Sequence, residues 1–299
     1  MGLLQLEYFK ALAEKGHLTQ TAKDLMISAP SLSATIARLE EDLGCKLFDR
    51  DGRNIRLNKF GEIYLRYTND ILLLLENAKT EVRDLSGQKN MNLSIAISSP
   101  MVWLDVISSF IRANPDITVS HTLIKRDRFK DYSYCFKFDF IITATTDLPD
   151  TDWDYSTLIS DDKPMLAVYP SHPFAKLKSI RLNEAKDEKF IAVSKDFSMR
   201  KYFEDSCMMS GFTPKIILEC DYMLRSAMLA SEYGIVFTTE SGAKAKMLGN
   251  AIYVPVEDPP IRRTQAIFFN KRHYMSKAAL AFHDFILEHH KEMIDTKNN

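Results

Sequence analysis

The sequence predicts a two-part α/β chain, with an N-terminal all-α winged helix-turn-helix followed by a larger α/β body with largely parallel sheets. Three observations carry this expectation. Apolar residues recur at helical spacing through the first 43 positions, with breaks at Gly16 and around Ile27. Residues 59–86 contain no proline and a single glycine, Gly61, which leaves nothing to interrupt one long helix. Beyond residue 91, short β-rich apolar runs alternate with helical stretches.

Leu3, Leu6, Phe9, Leu12 and Ala13 form the apolar face of a first helix, which Gly16 stops. Thr19 stands where the N-cap of a short second helix is expected, with Ala22 and Leu25 on one face. Ser28 then supplies a capping hydroxyl ahead of Pro30, a residue tolerated in a first turn. Leu32, Ile36, Leu39 and Leu43 follow at spacings of three and four. Two such helices joined by a tight turn make the arrangement whose second member enters a DNA major groove. Its outward face carries Ser31, Ser33, Ala34, Thr35 and Arg38.

Gly44 ends that helix. Residues 46–48 and 55–57 read as two short strands around the turn Asp51-Gly52, which forms a wing. Across residues 1–90, 13 basic and 13 acidic side chains cancel, but residues 44–60 hold five basic side chains (Lys46, Arg50, Arg53, Arg56, Lys59) against two acidic ones. A solvated surface is the ordinary fate of such charges; the helices before the wing make DNA the better reading.

In the long helix, Tyr64, Tyr67, Ile71, Leu74, Ala78, Val82 and Leu85 repeat at near-heptad spacing. A helix of this length spans roughly 40 Å, and such a stripe wants a partner helix unless it packs on its own domain. Residues 86–90, SGQKN, read as a hinge.

The string from Leu6 to Gly61 resembles the DNA-binding domain of the LysR-type transcriptional regulators almost without gaps. The matching features include Phe9, Ala13, Gly16, Thr19, Ala22, Leu25, Ser28-Ala29-Pro30, Leu32-Ser33, Ile36, Leu39-Glu40, Leu43-Gly44, Leu47-Phe48, Arg50 and Arg56-Leu57. The resemblance implies contact with double-stranded promoter DNA through Thr19, Ser28, Ser31, Ser33, Thr35, Arg38, Arg50, Arg53 and Arg56. It also implies a linker helix that pairs protomers into a dimer or tetramer, and RNA polymerase as a partner. The departures fall on the recognition helix, where the family commonly has glutamine at Ala29 and Thr35 and basic residues near Ala34 and Ala37. Alanine offers only apolar contact to a thymine methyl, so phosphate contacts are expected to carry a larger share of the affinity. Binding then depends strongly on salt.

In the remainder, strands are expected at 93–97, 118–124, 138–143, 164–169, 190–193, 216–218, 235–237 and 264–269. Helices are expected at 101–113, 182–186, 198–210, 222–232, 240–247 and 275–290. The order resembles the LysR-type effector-binding domain, itself similar to periplasmic solute-binding proteins, with two subdomains joined by crossing strands. Its best matching pieces are NPDITV, KFDFIIT, PMLAVYPSHPFA and YGIVFTTES. The resulting division is 1–60 for the DNA-binding domain, 61–89 for the linker helix and 90–299 for the effector domain. Within the last, subdomain I is 91–160 with 268–299 and subdomain II is 161–267.

Ligands in open α/β sheets sit beyond the carboxyl ends of strands, facing helix N-termini. That rule selects Ser98 and Ser99, Thr143 with Thr145, Ser194 and Lys195, and Thr238 and Thr239 as effector-binding candidates. For each hydroxyl the plainer reading is a helix cap. Together they suit a small anionic effector, most simply a carboxylate, with Lys195 or Arg200 as counter-charge. Tyr132, Tyr134 and Phe136 offer the lining of a pocket for an aromatic group, with core or subdomain-surface packing the plainer reading.

Composition excludes several classes. With 45% hydrophobic and 26% charged residues and a formal net charge of −1, the chain reads as an ordinary globular protein whose basic surface is local. Cys45, Cys135, Cys207 and Cys220 stand apart without a CxxC pair, which reads as free thiols and a cytoplasmic location. The longest apolar run, 71–75, is far short of a membrane span, and the charged start does not read as a signal peptide. No GxSxG, HExxH, GxGxxG or P-loop pattern occurs, the histidines lack metal spacing, and neither cofactor nor catalysis is expected. The alternatives are a cytosolic solute-binding module and an enzyme on a binding-protein fold; the wing and the linker helix have no purpose in the first, and the second lacks apparatus.

Overall fold

Left-handed glycines close two helices of the first unit: Gly16 (φ 65°) after α1 (Leu3–Lys15) and Gly44 (φ 69°) after α3 (Ala29–Leu43). Between them lies the short α2 (Leu18–Asp24). The computed structural model describes residues 2–51, 54–87, 91–148 and 152–295. The chain divides into two units, Met1–Ser86 and Gly87–Asn299.

The expected cap at Thr19 is corrected. Helix α2 begins at Leu18 with His17 as N-cap, and Thr19 lies exposed within its first turn. The extended backbone of His17 (φ −142°) directly follows the glycine, so the helix starts earlier. The Thr21 N–H (2.9 Å) and hydroxyl (2.9 Å) then both donate to the His17 carbonyl. Ser28 does cap α3, its Oγ accepting from the Ser31 N–H at 3.2 Å.

The wing strands are β1 (Phe48–Asp51) and β2 (Asn54–Leu57), paired antiparallel with Phe48 opposite Leu57. The first starts two residues later than expected, because the Leu47 N–H donates to Glu40 Oε1 (2.9 Å) instead of to a ladder. Gly52 of the expected turn and Arg53 of the wing lie outside the described residues, as do residues 88–90 of the expected hinge. Phe9, Leu12, Leu32, Ile36, Leu39 and Leu47 form the core of this unit.

Helix α4 covers Lys59–Ser86, as expected. Tyr64 departs from the apolar stripe, its ring packing edge-on against Phe9 (5.0 Å) inside the core. Exposed apolar residues continue along the helix at Phe60, Ile63, Tyr67, Ile71, Leu74, Val82 and Leu85.

The second unit holds two mixed sheets. It begins β3 (Met91–Ile97), α5 (Leu104–Ala113), β4 (Ile117–Leu123), α6 (Tyr132–Cys135), β5 (Phe140–Ala144), β6 (Trp153–Asp162), β7 (Pro164–Val168), β8 (Ile180–Arg181), β9 (Lys189–Val193). It continues α7 (Ser198–Met209), β10 (Lys215–Cys220), α8 (Tyr222–Ala230), β11 (Val236–Thr239), α9 (Glu240–Lys244), β12 (Ile252–Asp258), β13 (Arg263–Asn270), α10 (Lys277–Asp295). One sheet runs β4-β3-β5-β13-β6, with α5 and α10 on its core: Phe282 of α10 meets Phe110 at 5.0 Å and Phe140 at 5.8 Å. The other runs β11-β7-β12-β8, and hydrogen bonds between Ile235 and the chain at Lys189 and Ile191 join β9 and β10 to it.

The expectation of largely parallel sheets is corrected. Strand β13 pairs antiparallel with β5 and β6, and β7 antiparallel with β11 and β12, because the chain crosses between the sheets at β6–β7 and again at β12–β13. Three strands escaped the sequence reading. β6 is rich in Asp, Ser and Thr, β8 has two residues, and β12 contains Pro255. Pro255 is tolerated because β12 pairs with β8 only from Val256 onward, so its missing N–H costs no ladder bond on that side.

Candidate functional site

The first unit presents α3 and the wing. On α3, Ser31, Ala34 and Arg38 are exposed and Ser33 and Thr35 half-buried, a polar face backed by the buried Leu32, Ile36 and Leu39. The hydroxyls are partly committed. Ser28 Oγ accepts its cap bond and keeps its proton for an outside acceptor; Thr35 Oγ1 donates to the Ser31 carbonyl (2.9 Å) and keeps its lone pairs. Arg38 therefore carries the fixed positive charge of this helix. In the wing Arg56 is exposed on β2, opposite Asp49 in the register, and Arg50 lies on β1. Lys46 is drawn back onto Glu40 (2.7 Å), so it contributes less to the basic surface than its place in the sequence suggests.

The second unit contains a small cavity of about 10 Å³, lined by Ser99, Val102, Met199, Tyr222, Arg225, Thr238, Thr239, Gly242, Met247, Arg263 and Gln265. The strand-end rule thus finds part of it. Ser99 follows β3, and Thr238 and Thr239 end β11. Thr239 Oγ1 accepts from the Gly242 N–H at 3.4 Å, capping α9, and a Cβ on Gly242 would meet Thr238 Oγ1 at 2.5 Å. Glycine keeps the α9 turn close against β11.

Ser98 and Thr143 stand behind the lining, with the Thr143 hydroxyl 3.0 Å from Ser98 Oγ and 2.6 Å from Asp147 Oδ2. The Ser98 carbonyl accepts from Tyr222 Oη at 3.3 Å. Ser194 and Lys195 do not line the cavity; Lys195 is exposed and Ser194 lies where β9 leaves its sheet. Arg200 is a structural cation. Its Nε donates to Glu204 (2.8 Å) and its Nη1 to Glu219 (2.7 Å) and to the Val193 carbonyl (2.9 Å), which leaves it committed within its own surroundings.

The cations at the cavity are two that the sequence reading missed. The Arg225 side chain, with the residue 2% exposed, forms no hydrogen bond or ion pair among the described residues and lies over the Tyr222 ring at 5.0 Å. Burial pulls its guanidinium below its ordinary pKa. Arg263, 4% exposed, donates from Nη2 to Ser198 Oγ (2.7 Å), while its Nη1 has no partner. Beside it in the ladder, Asp162 is saturated by neutral donors: the Ser241 N–H (2.9 Å), the Ser241 hydroxyl (2.6 Å) and Gln265 Nε2 (2.7 Å). The one available signal for Arg225 was a charged residue on the otherwise apolar helix YMLRSAMLA.

Among the described residues no cluster of three or more His, Cys, Asp or Glu could hold a metal, and no helix is long and apolar enough to cross a membrane. The four cysteines are free, and burial pushes the Cys135 and Cys207 thiols up to about 12, which keeps both as unreactive thiols.

Comparison with known proteins gives two family matches. Residues 3–62 match the family described as bacterial regulatory helix-turn-helix protein, lysR family, and residues 86–291 match the LysR substrate binding domain. An uncharacterized HTH-type transcriptional regulator of Bacillus subtilis, YybE, is 29% identical, covering 96% of this chain and 99% of its own length. The transcriptional dual regulator GltC of the same organism is 25% identical over 96% of this chain and 97% of its own. Among solved structures, full-length CbnR in complex with its target DNA superposes with a TM-score of 0.61 at 20% identity, over 96% of this chain and 99% of that one, a likeness of fold.

Proposed function

As this chain belongs to the LysR family of bacterial DNA-binding transcriptional regulators, we propose that α3 and the wing are its DNA-reading surface and the cavity of the second unit is its effector site. The observation that carries the reading is the cavity itself: a buried site in which apolar walls and convergent polar groups meet and buried polar atoms lack partners, the usual form of a small-molecule site. Residues 1–60 bind DNA, 61–89 pair protomers and 90–299 sense the effector. Ser31, Ser33, Thr35 and the Ser28 hydroxyl face base edges or phosphates, while Arg38, Arg50, Arg53 and Arg56 hold phosphates. Thr19, exposed in the first turn of α2, lies where a helix N-terminus approaches the backbone.

A dimer or tetramer holds several recognition helices at a fixed spacing. Effector binding between the sheets shifts the population toward another spacing, the bend of the bound DNA changes, and RNA polymerase responds. The protein works by binding, without catalysis and without a cofactor, in the cytoplasm.

The test is selection of bound duplexes from a random DNA pool. Bend angles are then measured on the selected duplex, with and without a metabolite that raises the protein's thermal stability in a panel. Paired half-sites and a ligand-dependent bend are expected. No enrichment over the pool would overturn the DNA reading; enrichment with an unchanged bend at saturating ligand would overturn the spacing mechanism.

Phosphate contacts make a second expectation. Arg38→Ala and Arg56→Ala should each weaken binding about equally across DNA sequences. Each should also reduce the slope of log affinity against log salt by about 1. Fluorescence anisotropy titrations over a salt series measure this, and an unchanged slope in either variant removes that arginine from the interface.

A further inference from the structure

We propose that the cavity of the second unit takes a small monocarboxylate, its carboxylate bridging Arg225 and Arg263 with Ser99 as a further donor. This rests on the reading of that cavity as the effector site. Three buried polar atoms without a partner belong to residues that line this one cavity: Arg225 Nε, Arg263 Nη1 and Ser99 Oγ. Their residues are 2%, 4% and 4% exposed, which keeps these atoms out of bulk solvent.

The charge follows from the neighbours. Two buried guanidiniums stand with one buried carboxylate, Asp162, whose oxygens are already held by Ser241 and Gln265. One positive charge is left uncompensated among buried side chains, and one negative charge on the ligand neutralises it. A second negative charge would be buried unpaired. A guanidinium fork matches a planar carboxylate better than a spherical ion does, and the Ser99 hydroxyl adds a donor.

The remaining wall sets the body of the ligand. Val102, Met199, Met247 and the Tyr222 ring are apolar, and the thioethers adapt to an irregular shape. The space between these walls is small, about 10 Å³, on the order of one water, so the ligand body is short and the adaptable Met199 and Met247 thioethers yield to it. The ligand is accordingly a short monocarboxylic acid with an apolar or singly hydroxylated body.

The experiment is thermal unfolding and titration calorimetry of the full chain at pH 7 with three matched series, namely acetate, propionate and butyrate; malonate and succinate; and propionamide and butyramide. Chloride and acetate salts are compared at equal ionic strength. Monocarboxylates are expected to give a saturable rise in melting temperature, with dicarboxylates and amides giving none. Arg225→Met should weaken monocarboxylate binding by at least about tenfold, the worth of a charge-assisted contact. It should also raise the melting temperature of the ligand-free protein, because a buried unpaired cation is removed; a variant that merely misfolds would lower it.

Saturation by dicarboxylates or amides that depends on Ser99 and Thr239 overturns the charge assignment and leaves the effector site standing. Stabilisation by chloride alone overturns the carboxylate. Monocarboxylate binding equally strong in Arg225→Met, Ser99→Ala and Thr239→Ala overturns both the assignment and the cavity as the site. Absence of any monocarboxylate effect at saturation likewise overturns the proposal.

Discussion

Gly61→Ala is expected to abolish DNA binding and to remove the cooperative unfolding transition of the first unit. A Cβ at this position would meet the Leu47 carbonyl oxygen at 2.1 Å and Leu57 Cδ2 at 2.6 Å. Backbone has no alternative rotamer, so the start of α4 must move away from residues 46–47 as a body. That start is tied down. Asn58 Oδ1 accepts from the Phe60 and Gly61 N–H groups (both 3.0 Å), Asn58 Nδ2 donates to the Lys46 carbonyl (2.9 Å), and the Asn58 N–H donates to that of Leu47 (3.0 Å). Moving α4 breaks this set and opens the Phe9 and Tyr64 contact behind it. Overpacking usually costs about 1–3 kcal/mol, and a clash with fixed backbone belongs at or above the top of that range. This is a large part of the roughly 5–15 kcal/mol available to a domain. Calorimetric unfolding of the full chain should show the first transition lost and the second unit still melting cooperatively. Native-like unfolding with normal DNA binding would show that the helix start accommodates a methyl group.

Leu74→Glu is expected to convert the assembly to monomers and to weaken DNA binding by about 100-fold, the avidity lost when two linked half-site contacts become independent. Tyr67 (59% exposed), Ile71 (47%), Leu74 (63%), Val82 (65%) and Leu85 (80%) lie three, four or eight residues apart on α4. A stripe of this kind on a 28-residue helix is stable in water only when a partner covers it. In a two-fold interface the same residue enters twice, so the substitution buries two carboxylates in an apolar seam. Sedimentation equilibrium reads the assembly and anisotropy the DNA affinity, with Leu74→Met as the volume-conserving control that should keep both. If Leu74→Glu retained the native assembly, pairing through this face would be ruled out.

The structure and the sequence agree best where the deciding interactions are local. Ser28 caps α3 through a residue three positions on, Gly16 and Gly44 close their helices within a turn, and α4 runs from Lys59 to Ser86 because nothing in that stretch breaks a helix. The strand-end rule found Ser99, Thr238 and Thr239 because strand ends and the helix starts after them are also local events. Ser194 and Lys195, picked by the same rule, follow β9 and are not among the residues that line the cavity. At Thr19 a pattern legible in outline was misplaced, since the glycine before it let His17 serve as cap.

By itself the sequence determined the helix-turn-helix, its wing and the long helix, since periodicity, capping and glycine placement act within a few residues. Only the tertiary structure decided which arginines matter to the cavity. Arg200 and Arg225 both sit on helices that follow strands, and the one local sign that separates them is Glu204, a turn on from Arg200, which accepts from its Nε. Arg200 meets Glu219, 19 residues away, and the Val193 carbonyl, while Arg225 meets no carboxylate. Asp162 is claimed by Ser241 and Gln265, 79 and 103 residues along the chain. Charge compensation in a buried site is settled by whatever the fold brings within hydrogen-bonding reach, and reach across that many residues is a property of packing.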